Sequence, residues 1–221
     1  MGKLKNIFNK FKGKQADNSK KKEFTTSDQY WKDRYEKGGN SGAGSYSNLA
    51  EFKAEVLNDF VEKHGINSVI ELGSGDGNQL KYFQFPKYIG FDISQLVIDK
   101  CRENYQNDSS KQFLHMDDLK DQMADLTMSL DVIYHLVEDE VFADYLNKLF
   151  DHSNKYVIIY SSNEEPKGEF APHVRPRKFT DWVEKNISNY ELLDFIPNKF
   201  PFEKNKEQST SFADFYIYKK K

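Results

Sequence analysis

Apolar and polar positions along the chain alternate between two periods. Short apolar runs bounded by polar residues read as buried parallel strands: Val69-Ile70 with Leu72, Lys87 to Asp92, Gln112 to Met116, the stretch Asp125 to Asp131 and Lys155 to Tyr160. Between them the spacing is helical. Leu49 to His64 turns Phe52, Val56, Phe60 and Val61 to one face and stops at Gly65. A helical pattern also starts at Asn78, another runs from a Ser94 cap through Tyr105, and others cover Glu138 to Phe150 and Phe179 to Ile187. A short helix is predicted over Ser27 to Glu36, with Ser27 as N-cap. Strands that alternate with helices predict an α/β domain around a mostly parallel sheet. The last two strands, Tyr190 to Phe195 and Ser211 to Tyr218, have no helix between them, which predicts antiparallel pairing at a sheet edge.

The first strand runs into Gly73, Gly75 and Gly77 through Glu71 and Ser74. Glycines at alternate positions allow a sharp turn and close approach of a ligand to the main chain. A dinucleotide fingerprint wants its third glycine one position later, so the glycines alone decide little. The following strands add to them: the second ends in Asp92 and the third in Asp117 and Asp118. An acid at the end of the second strand is placed to accept from ribose hydroxyls. Glu71, Asp92 and Asp117 then line one edge of the sheet, a pattern suited to a nucleoside-type ligand.

Glu-Leu-Gly-Ser-Gly-Asp-Gly from Glu71, Gly-Phe-Asp-Ile-Ser from Gly90 and His-Met-Asp-Asp from His115 resemble class I S-adenosylmethionine-dependent methyltransferases. The resemblance runs from about Tyr30 to Lys219. More narrowly, Tyr30 to Tyr35, Gly38 to Tyr46 and Asp131 to Leu136 resemble a subgroup of small bacterial methyltransferases often associated with surface-glycan biosynthesis. The resemblance implies a Rossmann-like seven-stranded sheet of order 3-2-1-4-5-7-6, its last strand antiparallel, with helices on both faces. It implies S-adenosylmethionine as cofactor, with Glu71, Gly73 and Gly75 beside the methionine part, Asp92 at the ribose, Met116, Asp117 and Asp118 around the adenine, and Ser74, Ile93 and Leu130 as further cofactor contacts. It also implies methyl transfer to an oxygen of a small or glycan-linked acceptor.

Composition narrows the picture. With 221 residues the chain is long enough for one α/β domain, residues 25–221, after an extension over residues 1–24. Residues 1–22 hold eight lysines against Asp17 alone, in a chain whose net charge is −3. Leu4, Ile7, Phe8 and Phe11 share one helical face there, so residues 1–14 are either a peripheral membrane contact or a solubilising tail. The remainder is acidic, which argues against nucleic acid as a partner. A single Cys101 and the lack of a signal-type apolar segment predict a cytoplasmic protein. One cysteine and five scattered histidines predict no metal site. Nothing in the sequence fixes an oligomeric state.

Methyl transfer from a sulfonium is an in-line displacement, so the protein chiefly positions the acceptor. A hydroxyl acceptor gains from a general base. Asp131 and His135, four apart after the fourth strand with Tyr134 between them, are the catalytic candidates, and His135 has the side chain best suited to accept a proton near neutrality. On the first helix Tyr30 and Arg34 either pack on the sheet edge or close over the cofactor, with Arg34 or Tyr30 reaching the methionine carboxylate. The glycine-rich stretch Lys37 to Ser47, which contains Tyr46, reads as a loop able to close over a site. His173, Arg175 and Arg177 alternate on an extended segment and would face one way, which suggests an anionic acceptor such as a phosphorylated or nucleotide-activated sugar. Two rival readings share the glycine turn: a nicotinamide-dependent oxidoreductase and a non-catalytic cofactor-fold partner protein.

Overall fold

The computed structural model describes residues 24–166 and 169–221. The amphipathic pattern and the membrane contact expected of the N-terminal extension lie outside the described residues. Seven strands form one sheet: β1 (Val69–Leu72), β2 (Tyr88–Asp92), β3 (Lys111–His115), β4 (Ala124–Leu130), β5 (Ser153–Ser161), β6 (Tyr190–Ile196) and β7 (Asp214–Lys220). Their order is β3-β2-β1-β4-β5-β7-β6. β1 to β5 pair in parallel, and β7 enters antiparallel between β5 and β6. The expected Rossmann-like topology is the one observed. Among the described residues, five α-helices accompany the sheet: α1 (Ser27–Glu36), α2 (Ser47–His64), α3 (Gln95–Asn104), α4 (Asp139–Asp151) and α5 (Phe179–Asn186).

The period of two along the central strands sends alternate side chains to opposite layers. Val69, Leu126, Met128 and Ile158 pack with Phe52, Leu57 and Phe60 of α2 on one face. Ile70, Leu72, Val157 and Ile159 pack with Phe142, Leu146 and Leu149 of α4 on the other. Edge strand β6 leaves Leu192, Leu193 and Phe195 exposed, and its register shifts between Leu192 and Asp194.

Two sequence expectations are corrected. The N-cap of α1 is Thr26, whose hydroxyl accepts from Gln29 N at 3.2 Å; Ser27 is the first helical residue and is buried. Its backbone N–H and its hydroxyl both donate to Glu138, at 3.0 and 2.6 Å, which pins α1 beside the start of α4. The pattern from Asn78 yields a single 3-10 turn, Gln79–Tyr82, and no longer helix. Pro86 disfavours helical backbone at the residue before it. The Asn58 amide then fixes the outgoing chain by donating to Tyr82 O and accepting from Gln84 N. Phe83 and Phe85 are buried in the α2-side layer as a result.

Candidate active site

The loops after β1, β2, β3 and β4 meet at the carboxyl edge of the parallel sheet, where open α/β folds hold their ligands. A cavity of about 270 Å³ opens there, walled by the glycine turn, the ends of β2 to β4, and faces of α1 and α4. Gly73 and Gly75 have φ of +80° and +58°, and a Cβ on them would meet Val132 Cγ2 at 2.6 Å and Ser41 Oγ at 2.3 Å. Positive φ and the lack of space both exclude larger residues.

Asp92 ends β2 at the cavity and is buried. One of its oxygens accepts from Gly75 N and the other from Ser94 N, each at 2.9 Å. A carboxylate has about four lone-pair sites, so acceptor capacity remains after it has braced the glycine turn. Burial pushes its carboxyl up to about 6, against the opposing pull of its backbone donors.

Glu71 is placed differently from expectation. It lies beneath the turn, off the cavity wall, because its side chain is taken by the phenol of Tyr88 at 2.5 Å and the amide of Gln79 at 3.2 Å. Burial raises it to about 7. Met116, Asp117, Ile93 and Leu130 line the cavity, as does Ser74. Asp118 does not: it follows Asp117 in the 3-10 turn Met116–Asp118 and faces solvent.

The loop after α1 is folded onto the glycine turn. Ser41 N and Tyr46 OH both donate to Asp76, and Asp76 N donates to Ser41 Oγ. Arg34 donates to Asn40 O at 2.7 Å, so it braces this loop and does not line the cavity. Tyr46, committed to Asp76, does not line it either, while Ser41 and Ser45 do. Tyr30 stacks on the His173 ring with centroids 4.0 Å apart and does not line the cavity. Trp31, its neighbour, lines the cavity and meets His135 edge-on at 4.9 Å.

At the end of β4 the backbone reverses at Asp131, which adopts φ +61°. Its carboxylate accepts from Lys53 Nζ at 2.7 Å and from Tyr134 OH at 3.0 Å. Lys53 is wholly buried on α2 and also sits 5.2 Å from the Tyr160 ring centre. Burial and the neighbouring Asp131 raise the Tyr134 hydroxyl, which keeps it a neutral donor. His135 lines the cavity, and its Nδ1 lies 2.9 Å from the carbonyl of His173. A carbonyl only accepts, so Nδ1 carries the proton and Nε2 the lone pair. Burial lowers His135 to about 4 and leaves the ring neutral at physiological pH.

The expected anion site on the 173–177 segment is not formed. Arg175 and Arg177 both pair with Asp139, at 3.0 and 2.8 Å, and both donate to Val137 O. His173 contributes its carbonyl to His135 and its ring to Tyr30. These contacts turn the segment into a strut that holds the Val132–Leu136 turn.

Lys53, Gln79, Asp76, His115 and Trp31 are site residues that the sequence reading passed over. Lys53 occupies the inward stripe of α2 with Leu49 and Leu57, and that position was its only signal. His115 lines the cavity while bonding Ile93 O at 3.0 Å.

Residues 70–152 match the model of a methyltransferase domain family. No curated protein sequence matches the chain. Among solved structures, the N-methyltransferase NodS from Bradyrhizobium japonicum WM9, in complex with S-adenosylhomocysteine, superposes with a TM-score of 0.67 at 9% identity, covering 89% of this chain and 99% of that one. Magnesium protoporphyrin IX methyltransferase from Synechocystis PCC 6803, with bound S-adenosylmethionine, gives 0.62 at 14% identity, covering 90% and 99%. The methyltransferase domain of bacterial CtHen1 gives 0.57 at 18% identity, covering 78% and 98%. Residues 70–152 thus carry the match to a methyltransferase domain, and the fold is the one that these solved methyltransferases share, among them structures holding S-adenosylmethionine or S-adenosylhomocysteine. The residues present fit such a group. The glycine cradle gives close main-chain approach, Asp92 has acceptor capacity to spare, and the buried Gln79 Oε1 in the same wall lacks any partner.

Proposed function

We propose that this protein methylates a hydroxyl of a small or glycan-linked acceptor, using S-adenosylmethionine held across the ends of β1 to β3. The observation that carries this reading is His135: neutral, tautomer-locked and on the cavity wall beside the end of β4. The cofactor supplies an activated methyl group whose leaving thioether needs no protonation. This chain's residues orient the two reactants, keep water out and receive one proton. An alcohol that gains a methyl becomes a protonated ether, far more acidic than an imidazolium. A base lowered to about 4 therefore still takes that proton as transfer proceeds, and it stays unprotonated at any neutral pH. The Lys53–Asp131–Tyr134 cluster fixes the β4 turn from which His135 projects. With Arg175 and Arg177 committed to Asp139, a neutral hydroxyl suits the site better than a phosphate. The glycan part of the reading rests on the narrower sequence resemblance.

The test is release of S-adenosylhomocysteine across a panel of sugars, nucleotide sugars and glycan ends, repeated with His135→Ala on any acceptor found. Loss of about 100-fold in kcat is expected. Full turnover by the variant would remove His135 from the chemistry, and methylation of amines alone would overturn the hydroxyl assignment.

A further inference from the structure

Gln79 is anomalous in its surroundings. It follows the glycine turn directly, is 4% exposed and lines the cavity. Its Nε2 donates to Glu71 Oε1 at 3.2 Å, while its Oε1, equally buried, has no hydrogen-bond partner. The amide has a defined orientation. Its NH₂ group donates to one Glu71 oxygen, and Tyr88 OH donates to the other at 2.5 Å. Tyr88, Glu71 and Gln79 thus form a chain whose free end is an unpaired acceptor in the cavity wall. Native structures leave few buried acceptors unpaired, and each such atom asks for an explanation.

A donor that enters with a ligand would satisfy it. Asp92, at the end of β2, is placed for hydroxyls, and Asp117, beyond β3, lies further along the sheet edge. Gln79 stands instead over the end of β1, the strand between β2 and β4, with the Glu71 carboxylate directly behind it. An acceptor backed by a carboxylate suits a cationic donor best. We propose that Gln79 Oε1 receives the α-ammonium group of the methionine part of S-adenosylmethionine, and that Glu71 acts as the positioning residue that holds the amide in its accepting orientation. This rests on the cofactor reading of the cleft. It gives Glu71 an indirect role in place of the direct contact expected from the sequence.

Calorimetry with two ligands tests it: S-adenosylhomocysteine, which carries the ammonium, and 5′-methylthioadenosine, which lacks the amino-acid end. Gln79→Met keeps length and bulk but removes the acceptor. It should weaken S-adenosylhomocysteine by about 10- to 100-fold, the range for a hydrogen bond to a charged group, and leave methylthioadenosine within about twofold. Glu71→Gln, which frees the amide to turn, should reproduce the same ligand-selective loss to a smaller degree. Equal weakening of both ligands would reduce Gln79 to a packing role and overturn the proposal, as would unchanged affinity for S-adenosylhomocysteine. A wild-type protein that binds neither ligand would overturn the cofactor reading itself, a separate failure.

Discussion

Replacing Lys53 by methionine probes the most heavily buried charge near the site. The ammonium sits 2.7 Å from Asp131 Oδ2 with no exposed side-chain surface, and Asp131 is only 12% exposed. Methionine keeps the length and the apolar stem of lysine. What it removes is the charge, which leaves Asp131 with Tyr134 OH as its remaining side-chain donor. Removing one partner of a buried ion pair costs about 3–5 kcal/mol, because the survivor is a desolvated charge. The lower end applies here, since Asp131 borders the cavity and gains some water: about 3 kcal/mol. Adding Asp131→Asn removes the stranded charge. Asparagine tolerates the left-handed backbone that this position requires and can still accept from Tyr134, so the double variant should regain about 2 kcal/mol. Asp131→Ala, by contrast, should cost about 1 kcal/mol more than Asp131→Asn, because alanine resists positive φ. Urea unfolding with linear extrapolation measures the four variants beside the wild type. A Lys53→Met protein within about 1 kcal/mol of wild type, or a double variant no more stable than the single, would refute the claim that this pair is both buried and interdependent.

Two further predictions concern the cofactor wall and pH. Asp92→Asn should lower S-adenosylhomocysteine affinity by more than about 10-fold, since an amide NH₂ must then face one of the two backbone N–H groups that Asp92 now accepts from; unchanged affinity in calorimetry would dismiss Asp92 as a cofactor contact. His135 takes up its proton at about 4 in the folded protein, against 6.5 ordinarily. The folded state therefore resists a proton that the unfolded chain accepts. The contribution is whole above pH 6.5 and is lost as pH falls through about 4, a swing of about 3 kcal/mol. Glu71 and Asp92, raised to about 7 and 6, act in the opposite sense: their contributions are whole at low pH and are lost as pH rises through those values. Comparing wild type with His135→Gln isolates the histidine. The stability difference between them should shift in favour of the variant between pH 6.5 and 4, and a pH-independent difference would contradict the burial of a neutral ring.

The sheet was legible because strand order and pairing follow from where apolar runs fall and which connections contain a helix, and both can be read from residues such as Val69-Ile70 or Val157-Ile158-Ile159. The glycine turn was legible for a similar reason: backbone geometry admits few residue types there. Partnerships were less accessible. Arg175 and Arg177 look like anion ligands until the fold brings Asp139, thirty-six and thirty-eight positions away, against them. Glu71 looks like a cavity residue until Tyr88 and Gln79 close on it. Lys53 on an amphipathic helix reads as surface because burying a lysine is costly, and that cost is offset only by Asp131, seventy-eight positions on. In each instance the residue type announced a strong electrostatic need, and the sequence was silent on whether a ligand or the protein itself would meet it. Gln79 is the converse, a neutral residue of little note in the sequence whose one unmet need appears only when every neighbour is in place. On the proposed assignment of Gln79, unmet polar capacity inside the cavity points to a ligand contact that charge along the chain does not.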